Sequence, residues 1–335
     1  MKNQNTNHKI AVIGGGSWAT AITKILTFNG FEVRWWLRDA ASVNHIRDFG
    51  HNPKYLSSVQ FDIPPSHVSS NINEVIESSD WVIFATPSFS FVQIMESLTP
   101  EDLKGKMIAS AIKGITQHEH FTISQYLHRQ YKVPQNNLAN ISGPCHAEEV
   151  AAEKLSYLTF ASPNISLAEE LASCFNNRFM CTSVSHDMLG TEYASVIKNI
   201  FAIAAGISIG LGYGDNFRAV LVSEAMEEMN HFLHHLVPAK RDILSPPYLG
   251  DTLVTAYSQY SRNRTFGVMI GSGYTINSAI LELKMVAEGY YASNAIKALC
   301  KENNLEMPIA DAVYNILYGE IAAETEFRTL GDKLC

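Results

Sequence analysis

Residues 9–16, KIAVIGGG, run from a short apolar stretch rich in β-branched side chains into three consecutive glycines, and residues 17–28 continue with helical spacing. A strand that turns into a helix within so few residues leaves few folds open. Gly14, Gly16 and Ala19 satisfy G-x-G-x-x-A. The first glycine permits the tight turn, the second lets the backbone approach a ligand closely, and the small alanine lets the helix lie against the strand. Amides at the start of such a helix face an anion, and the pyrophosphate of a dinucleotide suits this context. A plain glycine-rich turn would carry the same letters.

Short apolar runs recur at 32–36, 81–85, 107–111, 137–141, 157–161 and 178–183, many of them separated by segments of helical spacing. This alternation predicts a mostly parallel sheet covered by helices on both faces. Beyond about residue 185 the pattern changes, and helical spacing runs through 187–211, 216–236, 275–283, 290–303 and 308–319 without a strand-like run. The predicted fold class is α/β: an N-terminal Rossmann-type dinucleotide-binding domain over residues 1–190, then an all-helical C-terminal domain over residues 191–335. The segment SVSHDMLGT supplies turn and capping residue types at the boundary.

Of the 335 residues 46% are hydrophobic and 17% charged, which argues against disorder and coiled coil. The chain carries 25 Lys and Arg against 33 Asp and Glu, a net charge of −8. It has no general attraction to nucleic acid or anionic lipid, and any phosphate site must be built locally. Five cysteines form no C-x-x-C pair and read as free thiols in a reducing compartment. The polar start MKNQNTNHK does not read as a signal peptide and the apolar run 200–211 is too short to cross a bilayer, so neither a leader nor stable membrane insertion is expected. His231, His234 and His235 have helical spacing without a companion carboxylate or cysteine pattern, and no metal is expected.

Trp36-Leu37-Arg38-Asp39 stands where NAD-selective folds place an acid on the ribose 2′-hydroxyl. Arg38 can hold a 2′-phosphate, stack on adenine or remain a solvated arginine, and Asp39 can bind a free ribose. The ATPS segment at 85–88 and NPKYL at 52–56 are as well explained as turns. Lys113 follows the run at 107–111 and should emerge at the carboxyl edge of the sheet, to meet substrate or to stay on the surface. Gly143 and Cys145 flank Pro144, where amides can receive a substrate oxygen or merely cap a helix. Cys145 has only His146 beside it as an activating base and reads as a polar-site liner. Lys198 interrupts the apolar helix YASVIKNIFAI at 193–203. An ammonium there must find a partner, snorkel to water or lose affinity for its proton, the last making it a useful acid or base. Asp251 is expected in a turn, and Ser261, Arg262, Asn263 and Arg264 form either an anion site or a solvated basic turn. Glu288 can hydrogen-bond a ribose or cap a helix.

Taken in order, GGGSWATA at 14–21, AIKG at 111–114, SGPCHAEE at 142–149, EYASVIKNIFAIAAG at 192–206, GDTLVTAYSQYSRNRTFG at 250–267 and VAEGY at 286–290 resemble the bacterial-type NAD(P)-dependent glycerol-3-phosphate dehydrogenases over nearly the whole chain. The resemblance implies reversible reduction of dihydroxyacetone phosphate to sn-glycerol 3-phosphate with NADP(H) and/or NAD(H), supplying glycerophospholipid synthesis. It also implies a cytoplasmic homodimer whose helical domain binds substrate and dimerises. To the cofactor contacts that the glycine turn gives at Gly14 and Gly16, it adds, residue by residue, Ser17, Trp18, Arg38, Lys113, Ala147, Arg262, Val286 and Glu288. Substrate contacts would come from Lys113, Gly143, Cys145, Lys198, Asp251, Ser261, Arg262 and Asn263. Lys198 would be the proton donor and acceptor, with Lys113 and Asp251 also catalytic. The sequence departs from the family at Cys145, where serine or threonine is usual, and at Ala287, where a second valine is usual. Two rivals stand beside this reading: a reductase for another small 2-oxo acid, against which the SRNR cluster argues, and a non-catalytic NADPH-binding regulator, which has no need of Lys113, Lys198 and Asp251 together.

Overall fold

The computed structural model describes residues 8–283 and 287–334. The chain folds as two units, one of residues 1–112 and 123–188, the other of residues 113–122 and 189–335.

In the first unit the elements follow as β1 (Lys9–Ile13), α1 (Ser17–Phe28), β2 (Glu32–Trp36), α2 (Ala40–Phe49), β3 (Val68–Ser69), α3 (Ile72–Glu77), β4 (Trp81–Phe84) and α4 (Ser88–Met95). They continue as β5 (Met107–Ser110), α5 (Ile123–Tyr131), β6 (Leu138–Ser142), α6 (Ala147–Ala151), β7 (Ser156–Ala161), α7 (Ile165–Phe175) and β8 (Met180–Ser185). The strands form one eight-stranded sheet in the order β3-β2-β1-β4-β5-β6-β7-β8. Every neighbouring pair is parallel except β6 with β7, so the mostly parallel sheet expected from the alternation is present with one reversal. All of β4 and β6 is buried, as strands covered on both faces require. The order changes direction at β1, with β2 on one side and β4 on the other. The carboxyl end of β1 is therefore the switch point at which open α/β sheets bind ligands.

The core of this unit includes the fully buried side chains of Trp35, Trp81, Phe160 and Phe175. Trp35 does more than fill space, because its Nε1–H donates to the Gly14 carbonyl at 2.7 Å and ties β2 to the glycine turn.

The second unit contains α8 (Met188–Gly210), α9 (Asp215–Leu236), a π turn at Pro246–Gly250, α10 (Asp251–Tyr257), α11 (Arg262–Gly271), α12 (Ile276–Leu283), α13 (Glu288–Asn303), α14 (Pro308–Tyr318) and α15 (Ala323–Lys333). Ile197, Ile200, Ile203 and Ile207 of α8 are fully buried in the helical core. The helix as a whole runs 23 residues and is long and apolar enough to cross a membrane, yet most of it is packed inside the protein. Its last turns meet α11 backbone to backbone. A Cβ on Gly206 would overlap the Arg264 carbonyl oxygen and lie 2.9 Å from the α-carbon of Gly267, and one on Gly267 would overlap the Ile203 oxygen. Gly210 and Gly271 repeat the close approach one turn on, against Val268 and Ile207. Only residues without a Cβ allow the two backbones so near. Elsewhere Glu228 of α9 closes the start of α14, its two carboxyl oxygens accepting the amides of Ile309 at 2.8 Å and Ala310 at 2.9 Å. Burial pushes that carboxyl up while the two amides pull it down.

Several elements differ from the sequence expectation. A single boundary after residue 190 omits the excursion of residues 113–122, which pack with the helical unit because Ile115 is buried in its core. Asp251 opens α10, where a turn was expected, and Ser261 caps α11, a helix the spacing had not marked, since the glycine and small polar residues that mark turns also start helices. The two-residue strand β3 and the helix α15 were not anticipated.

Candidate active site

Gly14 adopts φ +144°, and a Cβ there would strike the Ala85 carbonyl oxygen at the end of β4. A Cβ on Gly16 would meet nothing within 4 Å, so the backbone there is open to a ligand. Gly16 begins α1 without a side-chain cap, and the first turn, with Ser17 and Trp18, carries no acidic residue. Next to Ala85, Thr86 has a buried hydroxyl with no hydrogen-bond partner among the described residues. An anion-ready helix start, an open cradle and an orphaned polar atom at the switch point fit a dinucleotide. Asn52 braces the turn from outside, its Nδ2 donating to the Gly15 carbonyl at 3.0 Å and to Thr20 Oγ1 at 2.9 Å.

Past β2, Arg38 and Asp39 part company. Asp39 caps α2, accepting from the Ala41 amide and the Ser42 hydroxyl and pairing with Lys54, donors that hold its carboxyl down at about 2. The ribose role weighed for Asp39 thus competes with a cap. Arg38 is exposed and its side chain makes no ion pair or hydrogen bond among the described residues. Farther along this unit, Gly143 follows β6 with φ +120°, and a Cβ would lie 2.9 Å from the Tyr157 carbonyl oxygen. Cys145 is buried, and Ala147 is the first residue of α6.

In the helical unit the charged candidates converge. Lys198, 3% exposed in mid-α8, forms an ion pair with Asp251 Oδ1 and donates to Thr255 Oγ1 at 3.1 Å. Asp251, 1% exposed, also faces Lys113 Nζ at 3.7 Å through Oδ2. The Thr255 hydroxyl in turn donates to the Asp251 backbone carbonyl at 2.6 Å. Lys198 does not snorkel. Burial, reinforced by the neighbouring Lys113 charge, brings its amine down from the usual lysine range to about 7, against the upward pull of Asp251. An amine so poised can donate a proton to a developing alkoxide or accept one from an alcohol near neutrality.

One step along α8, Asn199 organises the surroundings, and sequence reasoning had not singled it out. Its Nδ2 donates to the carbonyls of Lys113 at 3.0 Å and Ser195 at 3.1 Å. Its Oδ1 accepts from Asn263 Nδ2 at 2.8 Å, and Asn263 Oδ1 accepts from the Gly289 amide at 2.9 Å. One amide network therefore joins the backbone of Lys113, the helix of Lys198, the start of α11 and the start of α13, where Glu288 stands. Asn263 keeps one N–H and one lone pair for a ligand. Ser261 accepts from the Arg264 amide at 3.3 Å and retains its hydroxyl proton. Arg262 is exposed at the opening of α11, whose first turn carries no acidic residue, a setting that attracts a phosphate. Val286 lies outside the described residues. Among the described residues no three His, Cys, Asp or Glu side chains form a group able to hold a metal ion.

Known proteins carry the same arrangement of sequence and fold. The profile of the NAD-dependent glycerol-3-phosphate dehydrogenase N-terminus matches residues 9–168, and that of the C-terminus residues 187–328. The glycerol-3-phosphate dehydrogenase (NAD(P)+) of Staphylococcus carnosus is 30% identical over 323 residues, 96% of this chain and 97% of that protein. The enzyme of the same name from Clostridium botulinum is 33% identical over 92% of this chain and 93% of its own. The crystal structure of glycerol-3-phosphate dehydrogenase from Coxiella burnetii superposes with a TM-score of 0.90 at 28% identity, covering 97% of this chain and 98% of that one.

Proposed function

The chain belongs to the NAD-dependent glycerol-3-phosphate dehydrogenase family, and on that premise we propose that it reversibly reduces dihydroxyacetone phosphate to sn-glycerol 3-phosphate with NAD(P)H, feeding glycerophospholipid synthesis. The observation that carries the reading is the cluster of buried Lys198 and Asp251 with half-buried Lys113, in the unit that also bears the SRNR helix start. NAD(P)H, when bound at the glycine turn, supplies the hydride that reaches C2 of the substrate. As charge grows on the C2 oxygen, Lys198 donates its proton to it and Lys113 stabilises what remains, so both act where the transition state is more negative than the ground state. In the opposite direction neutral Lys198 takes the hydroxyl proton. Asp251 holds both ammoniums in place and tempers the effect of burial on Lys198.

Ser261, Arg262 and Asn263 take the phosphate, and Gly143 and Cys145 add donors to the substrate, the thiol being a weaker donor than a hydroxyl. Gly14, Gly16, Ser17, Trp18, Arg38 and Ala147 hold the cofactor, with Lys113, Arg262, Val286 and Glu288 as further contacts. The unpaired Arg38 guanidinium supports NADPH as the preferred form. The same reading makes the protein a cytoplasmic homodimer.

The test is oxidation of NADPH and of NADH by purified protein, followed by the near-ultraviolet absorbance of the reduced cofactor, with dihydroxyacetone phosphate and with unphosphorylated dihydroxyacetone. Oxidation that depends on the phosphate is expected. Lys198→Ala should lower turnover by roughly 10²–10⁴-fold while leaving NADPH binding nearly intact. Unchanged turnover would remove Lys198 from the chemistry, and oxidation independent of phosphate would move the reading to another 2-oxo substrate.

A further inference from the structure

Immediately before Asn52 in the chain, two histidines meet. α2 ends at Phe49, Gly50 follows in the left-handed region at φ +70°, and the chain turns back so that His51 lies against His45 of the same helix. Their Nε2 atoms are 3.0 Å apart, with ring planes at 86° and centroids 4.7 Å apart. Rings meeting head-on through such a contact would hold their centroids farther apart, so the two nitrogens are inclined to one another. His51 Nδ1 lies 3.2 Å from the Phe49 carbonyl oxygen. That oxygen can only accept, so Nδ1 carries the proton and Nε2 of the neutral ring presents its lone pair. Metal-ligating histidines use this arrangement, the far nitrogen tied to a carbonyl and the near one aimed at the ion.

Neither ring is buried, and both open to solvent. Two imidazole nitrogens bound to a tetrahedral ion at 2.0–2.1 Å are about 3.4 Å apart, so the pair needs to open by only a few tenths of an ångström. We propose that His45 and His51 form a surface site for a divalent transition-metal ion of the zinc class, with water completing its coordination. Imidazoles suit such ions, whereas magnesium and calcium call for oxygen ligands that these two rings do not supply. Without the ion, the ring-to-ring hydrogen bond keeps the nitrogens together; with it, neutral His45 carries its proton on Nδ1 instead of Nε2, and both Nε2 lone pairs face the ion. The site bears on the cofactor turn through the next residue. Asn52 Oδ1 accepts the amides of Lys54 at 3.0 Å and Tyr55 at 3.2 Å while its Nδ2 grips Gly15, so an ion on His51 stiffens the segment that braces the turn.

The experiment is a calorimetric titration of tag-free protein with zinc chloride. One zinc ion per chain is expected. Both His45→Gln and His51→Gln should weaken binding at least tenfold. A His231→Gln/His235→Gln variant, which removes the helically spaced pair on α9, should leave it unchanged. No binding by the native chain, affinity within twofold of native in both pair variants, or loss in the α9 variant overturns the site. Retained NADPH binding shows that the pair variants fold. Should either fail to fold, zinc K-edge absorption on the native complex decides, two imidazole ligands supporting the site and one or none refuting it.

Discussion

Asp251→Asn removes the negative charge that Lys198 and Lys113 share while nearly keeping the shape of the side chain. Unit charges about 4 Å apart at an effective dielectric of about 20 interact by ~4 kcal/mol, and 1.36 kcal/mol corresponds to one pH unit of proton affinity. The Lys198 amine stands at about 7 with the carboxylate in place; without it the amine falls by about three pH units more. At pH 7 the protonated fraction then drops from about one half to about one in a thousand. A stronger acid transfers its proton more readily, which recovers part of that loss. The expected fall in kcat/KM for reduction at pH 7 is therefore between about tenfold and several hundredfold. The sign is fixed: reduction needs protonated Lys198, so native kcat/KM is level below about pH 7 and falls above it. In the variant the break moves to about pH 4, and log kcat/KM falls by about one per pH unit across the whole range from about pH 5.5 to 8. Since the overall equilibrium is untouched, the oxidation constant must fall by the same factor at each pH, a check within the same data. A variant profile that overlies the native one after a uniform scaling would refute the electrostatic role and leave Asp251 only a positioning one.

Other perturbations separate the remaining parts. Arg262 is exposed, so its contact with phosphate is a charged hydrogen bond of about 1.5–3 kcal/mol; Arg262→Ala should raise KM for dihydroxyacetone phosphate by roughly ten- to a hundredfold with a smaller change in kcat, and normal saturation would misplace the phosphate site. Asn199→Ala releases the Lys113 carbonyl and the Asn263 amide together, and kcat should fall on the order of tenfold or more through misplacement of the lysine; native kcat would show that the network does not position Lys113. Glu228→Ala leaves the amides of Ile309 and Ala310 unpaired in a buried place, about 1–3 kcal/mol each, and should lower the melting temperature by several degrees without altering KM. An unchanged melting temperature would mean that water replaces the cap.

The glycine turn and the sheet were legible because their signals are local. KIAVIGGG states strand and turn within eight residues, and the buried lysine of α8 announces itself as one charge in an apolar run. What stayed hidden depends on distance along the chain. Asn199 reads as an ordinary polar residue until its partners arrive from 64 and 86 positions away. The excursion of residues 113–122 into the helical unit turns on where Ile115 is buried, which no spacing rule states. The helix start at Ser261 was visible as letters but ambiguous in meaning, because turns and N-caps draw on the same small polar residues. Asp39 was the converse, since Asp-x-x-Ser is a local capping pattern that a ligand-seeking reading passes over. β3 is two residues long, too short for any periodicity, and α15 buries only Phe327 and Leu330.

The glycine contact between α8 and α11 has a bearing on how this protein can change over time. The spacing between the helix of Lys198 and the helix of Arg262 and Asn263 is set by main-chain atoms at Gly206, Gly210, Gly267 and Gly271. Side chains elsewhere in the helical core can be exchanged for others of similar volume at modest cost, and the two helices will still meet at the same separation. Drift in the core and upkeep of the chemistry are thereby uncoupled, and four positions bear the constraint that would otherwise spread over dozens.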